Sequence, residues 1–289
     1  LEDKRQLDLT TPENKPEITL CVKYVPKEGK RLDKMYKVTK KLAARMFPLH
    51  TNPITKALKM FRKFCSPLNK AINTTERLMC ANRYSEINYN LVPGRCLNKN
   101  VKAFRYAKRF QIEEPDIDRI KGSENFQKFL SDADAGKIKL KGSQMFVHEL
   151  VKHSRTDCSL EKQSVLNGQW NNIRDTLIKD ISSKNLNLDK MMVLSDVSAS
   201  MDCDNQRPMN TSIGMGIMFS EILAECNPSF GNCFISFNEK PELIYLNPEN
   251  TFIEKVKTCR NSKWGGTTDF ISAFDLILGK AIYYKTPKN

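Results

Sequence analysis

The side chains with the most specific chemistry in this chain are oxygen donors. In Met191–Asp204, MMVLSDVSASMDCD, the residues Asp196, Ser198 and Ser200 present oxygens at alternate positions after the apolar run Met191–Leu194. A second stretch, WGGTTDF at Trp264–Phe270, places Thr267 and Thr268 after a Gly-Gly pair. The apolar run reads as a short buried strand. Asp204, Asn205 and Gln206 read as a polar turn. The oxygens therefore fall on a loop at a strand's C-terminal end, where open α/β sheets bind ligands. One carboxylate and several hydroxyls, without His or Cys, form a hard-oxygen set suited to Mg²⁺ or Mn²⁺ rather than zinc or copper.

Rival chemistries lack their required residues. An EF-hand loop starting at Asp196 needs Gly at Met201 and Glu at Arg207. An aspartate phosphotransferase needs an acid where Ser198 stands. His148 and His153 are five apart, whereas a metalloprotease helix needs its histidines at i and i+4. With His50 as the remaining histidine, no base beside Ser198 or Ser200, and no nucleophile elbow or P-loop, the chain reads as non-catalytic. The plain alternative for Asp196–Ser200 is a strand-end turn in which Asp196 and Ser198 bond backbone amides.

The elements that must position these residues follow from the apolar periodicity. Residues 1–16 are polar and read as a disordered arm. Residues 17–183 read as packed helices: Leu32–Met46; a helix opened by Pro53 with the stripe Ile54, Ala57, Leu58, Phe61, Phe64 and Cys65; one from Thr75; Asn98–Phe110; Glu124–Ala133; Ser143–His153; and Leu160–Ile181, carrying Trp170 and Leu177. The linker SSKNLNLDK leads into residues 190–289. There strands (Met191–Leu194, Asn232–Phe237, Leu243–Leu246) alternate with helices (Pro208–Cys226, Thr251–Cys259, Phe270–Tyr283), predicting an α/β half with a mostly parallel sheet. Gly214 and Gly216 are expected to let the first of these helices lie close to the sheet. Asp269 is expected to cap the last.

The net charge of +14 is uneven. Residues 1–190 hold 38 Lys and Arg against 22 Asp and Glu, a balance of +16, while residues 191–289 hold 9 against 11. Residues 31–110 alone hold 19 basic and 3 acidic side chains. Basicity confined to one module is how an anionic polymer is held, and a solvated basic face is the plain alternative. Lys56, Lys59, Arg62 and Lys63 on one predicted helix, and Lys102, Arg105 and Arg109 on another, are the candidate nucleic-acid contacts. The nine cysteines are scattered without a C-x-x-C pair and no apolar signal segment opens the sequence, so they read as reduced thiols of a cytoplasmic protein. No apolar run approaches the roughly 18 residues a membrane span needs.

Asp196-Val-Ser198-Ala-Ser200 resembles the D-x-S-x-S of the metal-ion-dependent adhesion site (MIDAS) of von Willebrand factor A (vWA) domains. Gly265-Gly266-Thr267-Thr268-Asp269 is similar to the second loop of that site, which supplies a metal-binding Thr. Alignment on T-D favours Thr268, counting from G-G-T favours Thr267, and Thr268 is preferred. The form DVSASM is similar to that of Ro-type RNA-binding proteins, which join a TROVE domain to a vWA domain. The phrases VKYVPKEGKRLDK, FRKFCSPLNK, TERLMCANRYSEINYNLVPGR and GNCFISFNEKPEL resemble more closely a group of TROVE-like proteins described as a domain of unknown function with a vWA half. The resemblance covers about residues 17–289.

It implies a HEAT-like helical region followed by a vWA-type open sheet. It also implies a further Asp on a strand beyond Phe270–Tyr283, so the vWA half is expected to be incomplete. The expected function is RNA binding by the helical half joined to a metal-dependent interaction module, whose Mg²⁺ or Mn²⁺ accepts a partner's Asp or Glu. The alternatives are a metal-dependent protein-interaction scaffold without RNA binding, and a truncated remnant. No membrane partner is expected.

Overall fold

The computed structural model describes residues 19, 21–25, 27–48, 50–106, 115–155, 159–188, 191–226, 230–262 and 265–283. The chain divides into two compact units, Leu1–Arg83 and Tyr84–Asn289.

The first unit contains helices α1 (Cys21–Tyr24), α2 (Arg31–Tyr36), α3 (Val38–Met46), α4 (Ile54–Ile72) and α5 (Thr75–Cys80). Ala43 of α3 packs on Ala57, Leu58 and Phe61 of α4, the predicted apolar stripe. The single helix expected over Leu32–Met46 is broken at Lys37, whose φ of 51° is left-handed. Asp33 accounts for the break. Its buried carboxylate accepts the backbone N–H of Gly29 at 2.9 Å and of Thr39 at 2.8 Å, while its carbonyl accepts Lys37 N–H at 2.8 Å. One side chain thus satisfies orphan amides on both sides of the helix junction. Hydrogen bonding to Gly29 and then to Thr39 holds the Asp33 carboxyl below its ordinary range.

The second unit contains α6 (Gly94–Phe104), α7 (Ile117–Asp134), α8 (Val147–His153) and α9 (Leu160–Ser183), then β1 (Leu194–Asp196), α10 (Arg207–Cys226), β2 (Cys233–Phe237), β3 (Leu243–Tyr245), α11 (Phe252–Asn261) and α12 (Phe270–Tyr283). Residues 107–110, the predicted end of α6, lie outside the described residues. The sheet order is β1-β2-β3. β1 runs parallel to β2, with Leu194 opposite Ile235 and Asp196 opposite Phe237. β3 is antiparallel to β2, so the sheet is mixed rather than mostly parallel. The short link Asn238–Glu242 requires this, since parallel neighbours need a crossover of about a dozen residues.

Helix α10 is the centre of the core: Ile213, Ile217, Met218 and Ile222 are buried with Phe234 of the sheet, Val151 of α8 and Trp170 of α9. Its two glycines face different neighbours. A Cβ on Gly216 would lie 3.2 Å from Ser195 Oγ of β1, whereas one on Gly214 would strike Val147 of α8. Two residues along a helix turn the direction by about 200°, so both could not face the sheet. No helix among the described residues is long and apolar enough to cross a membrane.

Candidate metal centre

The strand expected at Met191–Leu194 lies further on, at Leu194–Asp196, because Asp196 pairs in register with Phe237. Val197 N–H still donates to Phe237 O at 3.2 Å before the chain leaves the sheet. Asp196 Oδ1 then accepts the N–H of Ser198 at 2.9 Å, and a single 3₁₀ turn, Ala199–Met201, follows. This turn brings Ser198 Oγ to 2.9 Å from Ser200 Oγ. Ser198 is buried, Asp196 half-buried and Ser200 exposed.

The second loop meets the first through its backbone. Gly265 N–H donates to Val197 O at 3.3 Å, and Ala199 N–H donates to Gly266 O at 3.4 Å. The φ angles of Gly265 and Gly266, 100° and 72°, explain the glycine pair, since both lie in the left-handed region. Thr267 and Thr268 follow with exposed side chains on the same end of the sheet. Trp264 lies outside the described residues. Asp269 is otherwise engaged: its carboxylate accepts Ser272 N–H at 3.1 Å and Ser272 O–H at 2.5 Å at the start of α12. The Ser272 hydroxyl, then its amide, hold the Asp269 carboxyl below its ordinary range.

The two serine hydroxyls hydrogen-bond to each other at 2.9 Å, a spacing that neighbouring ligands of an octahedral ion at about 2.0–2.1 Å would also have. Among the described residues no group of three His, Cys, Asp or Glu is arranged to hold a metal, so the candidate centre rests on one carboxylate and hydroxyls. Sequence reading missed two neighbours. Asn238, buried at the end of β2, accepts Asp269 N–H at 3.2 Å through its carbonyl and so anchors the second loop. Glu239 lies against Gly266, where a Cβ would stand 2.5 Å from Glu239 Oε2. Their signal was position, since FNE closes β2 at the same sheet end as DVSAS.

The candidate nucleic-acid contacts are distributed differently. Lys56, Lys59, Arg62 and Lys63 are exposed on α4 of the first unit, with Arg62 paired to Glu28. Lys102 and Arg105 lie on or just after α6 of the second unit. Lys102 is exposed, but Arg105 is half-buried and sits 3.4 Å from Glu161. Arg109 lies outside the described residues.

Comparison with known families gives the same division as the linker SSKNLNLDK. Residues 1–184 match the family described as Domain of unknown function (DUF2828), and residues 190–289 match Domain of unknown function (DUF7788). The chain belongs to the DUF2828 family. This DUF2828 chain is also similar to Uncharacterized protein L728 of Acanthamoeba polyphaga mimivirus, with 29% identity over 291 residues, 98% of this chain and 46% of that protein. It therefore spans about half the length of that relative. No solved structure matches.

Proposed function

We propose that the α/β half is a non-catalytic, vWA-type interaction module that depends on a divalent cation. Asp196, Ser198, Ser200 and Thr268, with Thr267 as the alternative threonine, would hold Mg²⁺ or Mn²⁺ at the C-terminal end of β1. The ion would supply an open coordination position for a partner's Asp or Glu. The observation that carries this reading is the 2.9 Å Ser198–Ser200 oxygen pair, clamped to the second loop by the hydrogen bonds at Gly265 and Gly266. Buried Ser198 fixes the inner side of the site, and exposed Ser200, Thr267 and Thr268 leave its outer side open to a partner. Mn²⁺ titration followed by electron paramagnetic resonance tests it. One ion should bind the chain and be lost in the Ser198→Ala/Ser200→Ala variant; equal binding by both proteins would sink the assignment.

A second function, RNA binding, is favoured by the exposed row Lys56, Lys59 and Lys63 on α4. These lysines recur at i, i+3 and i+7 on one helix face, and no acidic residue occurs between Pro48 and Thr75. Reversing all three to Glu should weaken RNA binding and flatten its salt dependence. An unchanged salt slope would remove α4 from the RNA contacts.

A further inference from the structure

The second unit carries an exposed stack that no basic-residue count reveals. Phe146, immediately before α8, is 58% exposed. Its ring stacks on His148 with centroids 5.5 Å apart and planes 13° from parallel, and the Arg95 guanidinium lies 5.1 Å from the Phe146 centroid. Glu149 fixes the arrangement: its Oε2 accepts both the Phe146 N–H at 3.0 Å and Arg95 Nη2 at 3.2 Å. The stack is thus held from its backbone side, and the side chains keep an open surface.

The charge around it is mainly positive. Arg207, Arg95 and Lys152 all lie close enough to depress the His148 pKa, after the larger effect of burial, and Glu149 is the one opposing carboxylate among these influences. Glu149 is already engaged by Arg95. Exposed Arg155, just after α8, donates to Gln206, the residue preceding Arg207. Arg155 also acts on Arg260, whose Nη2 donates to Asn210 at 2.6 Å and whose buried Nε has no partner among the described residues. Cations from α6, α8, α10 and α11 therefore collect here, although residues 191–289 are slightly acidic overall.

We infer that the Arg95–Phe146–His148 stack, with Lys152 and Arg207 beside it, binds single-stranded nucleic acid. Exposed aromatic surface with flanking cations is how such strands are held: bases stack on the rings and phosphates meet the charges. A duplex keeps its base faces covered, so it can use only the charges. Burial, then Arg207, lowers the His148 pKa and so favours the neutral ring, a flat surface beside Phe146. The inference shares the RNA reading of α4 but uses none of its residues.

The test is fluorescence anisotropy of the whole 289-residue chain with labelled U12, labelled dT12 and a 12-base-pair RNA duplex over a salt series. Phe146→Ala should weaken U12 binding about 5- to 150-fold, the range of one lost base–aromatic stack, and leave duplex binding nearly unchanged. Phe146→Trp should restore or tighten it, which a merely structural role for the ring would not require. Lys152→Ala/Arg207→Ala should reduce the log–log salt slope by about 1.4, from two phosphates at about 0.7 each. A preference for U12 over dT12 would assign RNA within this class, and equal affinity would assign either strand. U12 binding unaltered in both Phe146→Ala and Arg95→Ala overturns the inference. If Lys56→Glu/Lys59→Glu/Lys63→Glu alone abolishes that binding, the strand lies on α4 and the RNA reading survives without the stack. No binding by the unaltered chain removes both, and capture of an acidic peptide instead would make the patch a protein contact.

Discussion

Lys255 Nζ lies 2.7 Å from Glu221 Oε1, and both side chains are buried, at 5% and 6% exposure. The second carboxylate oxygen accepts Trp170 Nε1–H at 2.9 Å, and Trp170 stacks on Phe252 with centroids 4.1 Å apart. One carboxylate therefore joins α9, α10 and α11, so that the last helix of the DUF2828 region shares a core with the α/β sheet. Breaking such a buried pair costs up to about 3–5 kcal/mol, and here Arg174, 4.0 Å from Glu221 Oε2, is the one cation among the described residues left facing the carboxylate once Lys255 is removed. Lys255→Met should destabilise the second unit by up to that amount in urea unfolding. Lys255→Met/Glu221→Gln should recover most of the loss, because Gln is neutral and still accepts from Trp170. A double variant as unstable as the single one would show that the ion pair is not what matters there.

Lys37 joins α2 to α3 in the first unit. A residue with a side chain at φ 51° is strained relative to glycine, while Asp33 keeps the backbone there by bonding Gly29 and Thr39. Lys37→Gly should raise stability by up to about 1 kcal/mol. Lys37→Val, β-branched at the same angle, should lower it. The ordering of the two midpoints in urea checks the left-handed junction directly.

The sequence made the helical stripe of α4, the alternation of strand and helix after residue 190 and the capping role of Asp269 legible, because each rests on a local period or a local hydrogen bond. Ser198 and Ser200 could be chosen for their oxygens, and the structure brings those oxygens together. What stayed hidden depended on distant pairing. Register with Phe237 moved β1 onto Asp196, and Asp33 broke a helix read as continuous from Leu32 to Met46. The helix faces of Gly214 and Gly216 depended on α8, a neighbour that the local pattern does not identify. Arg105 read as a surface cation until Glu161, 56 residues later, took it up.

Cation binding should be visible in stability. A ligand that binds only the folded chain stabilises it by about 2.7 kcal/mol at a concentration 100 times its Kd. Saturating Mg²⁺ or Mn²⁺ should therefore raise the melting temperature of the unaltered chain, and EDTA should reverse the rise. Ser198→Ala/Ser200→Ala should show no shift with either metal. Gly266→Ala should also blunt the response, through its left-handed φ and the Glu239 side chain against it. A shift of equal size in the double serine variant would place the cation elsewhere.

The pH dependence has a sign set by two histidines. Burial, then Arg207, lowers the pKa of His148; burial, then Lys162, lowers that of His153. Each is protonated more readily in the unfolded chain, so the unfolded state binds more protons between the folded pKa and the unfolded value of 6.5. Stability is then fully present above about pH 6.5 and declines as pH falls through the lower folded values. The carboxylates held low by hydrogen bonds, such as Asp33 and Asp269, act in a separate window below the ordinary carboxylate range. Urea unfolding should show a loss between about pH 7 and pH 5, and His148→Gln/His153→Gln should flatten it. If the double variant keeps the whole slope, these histidines are not its source.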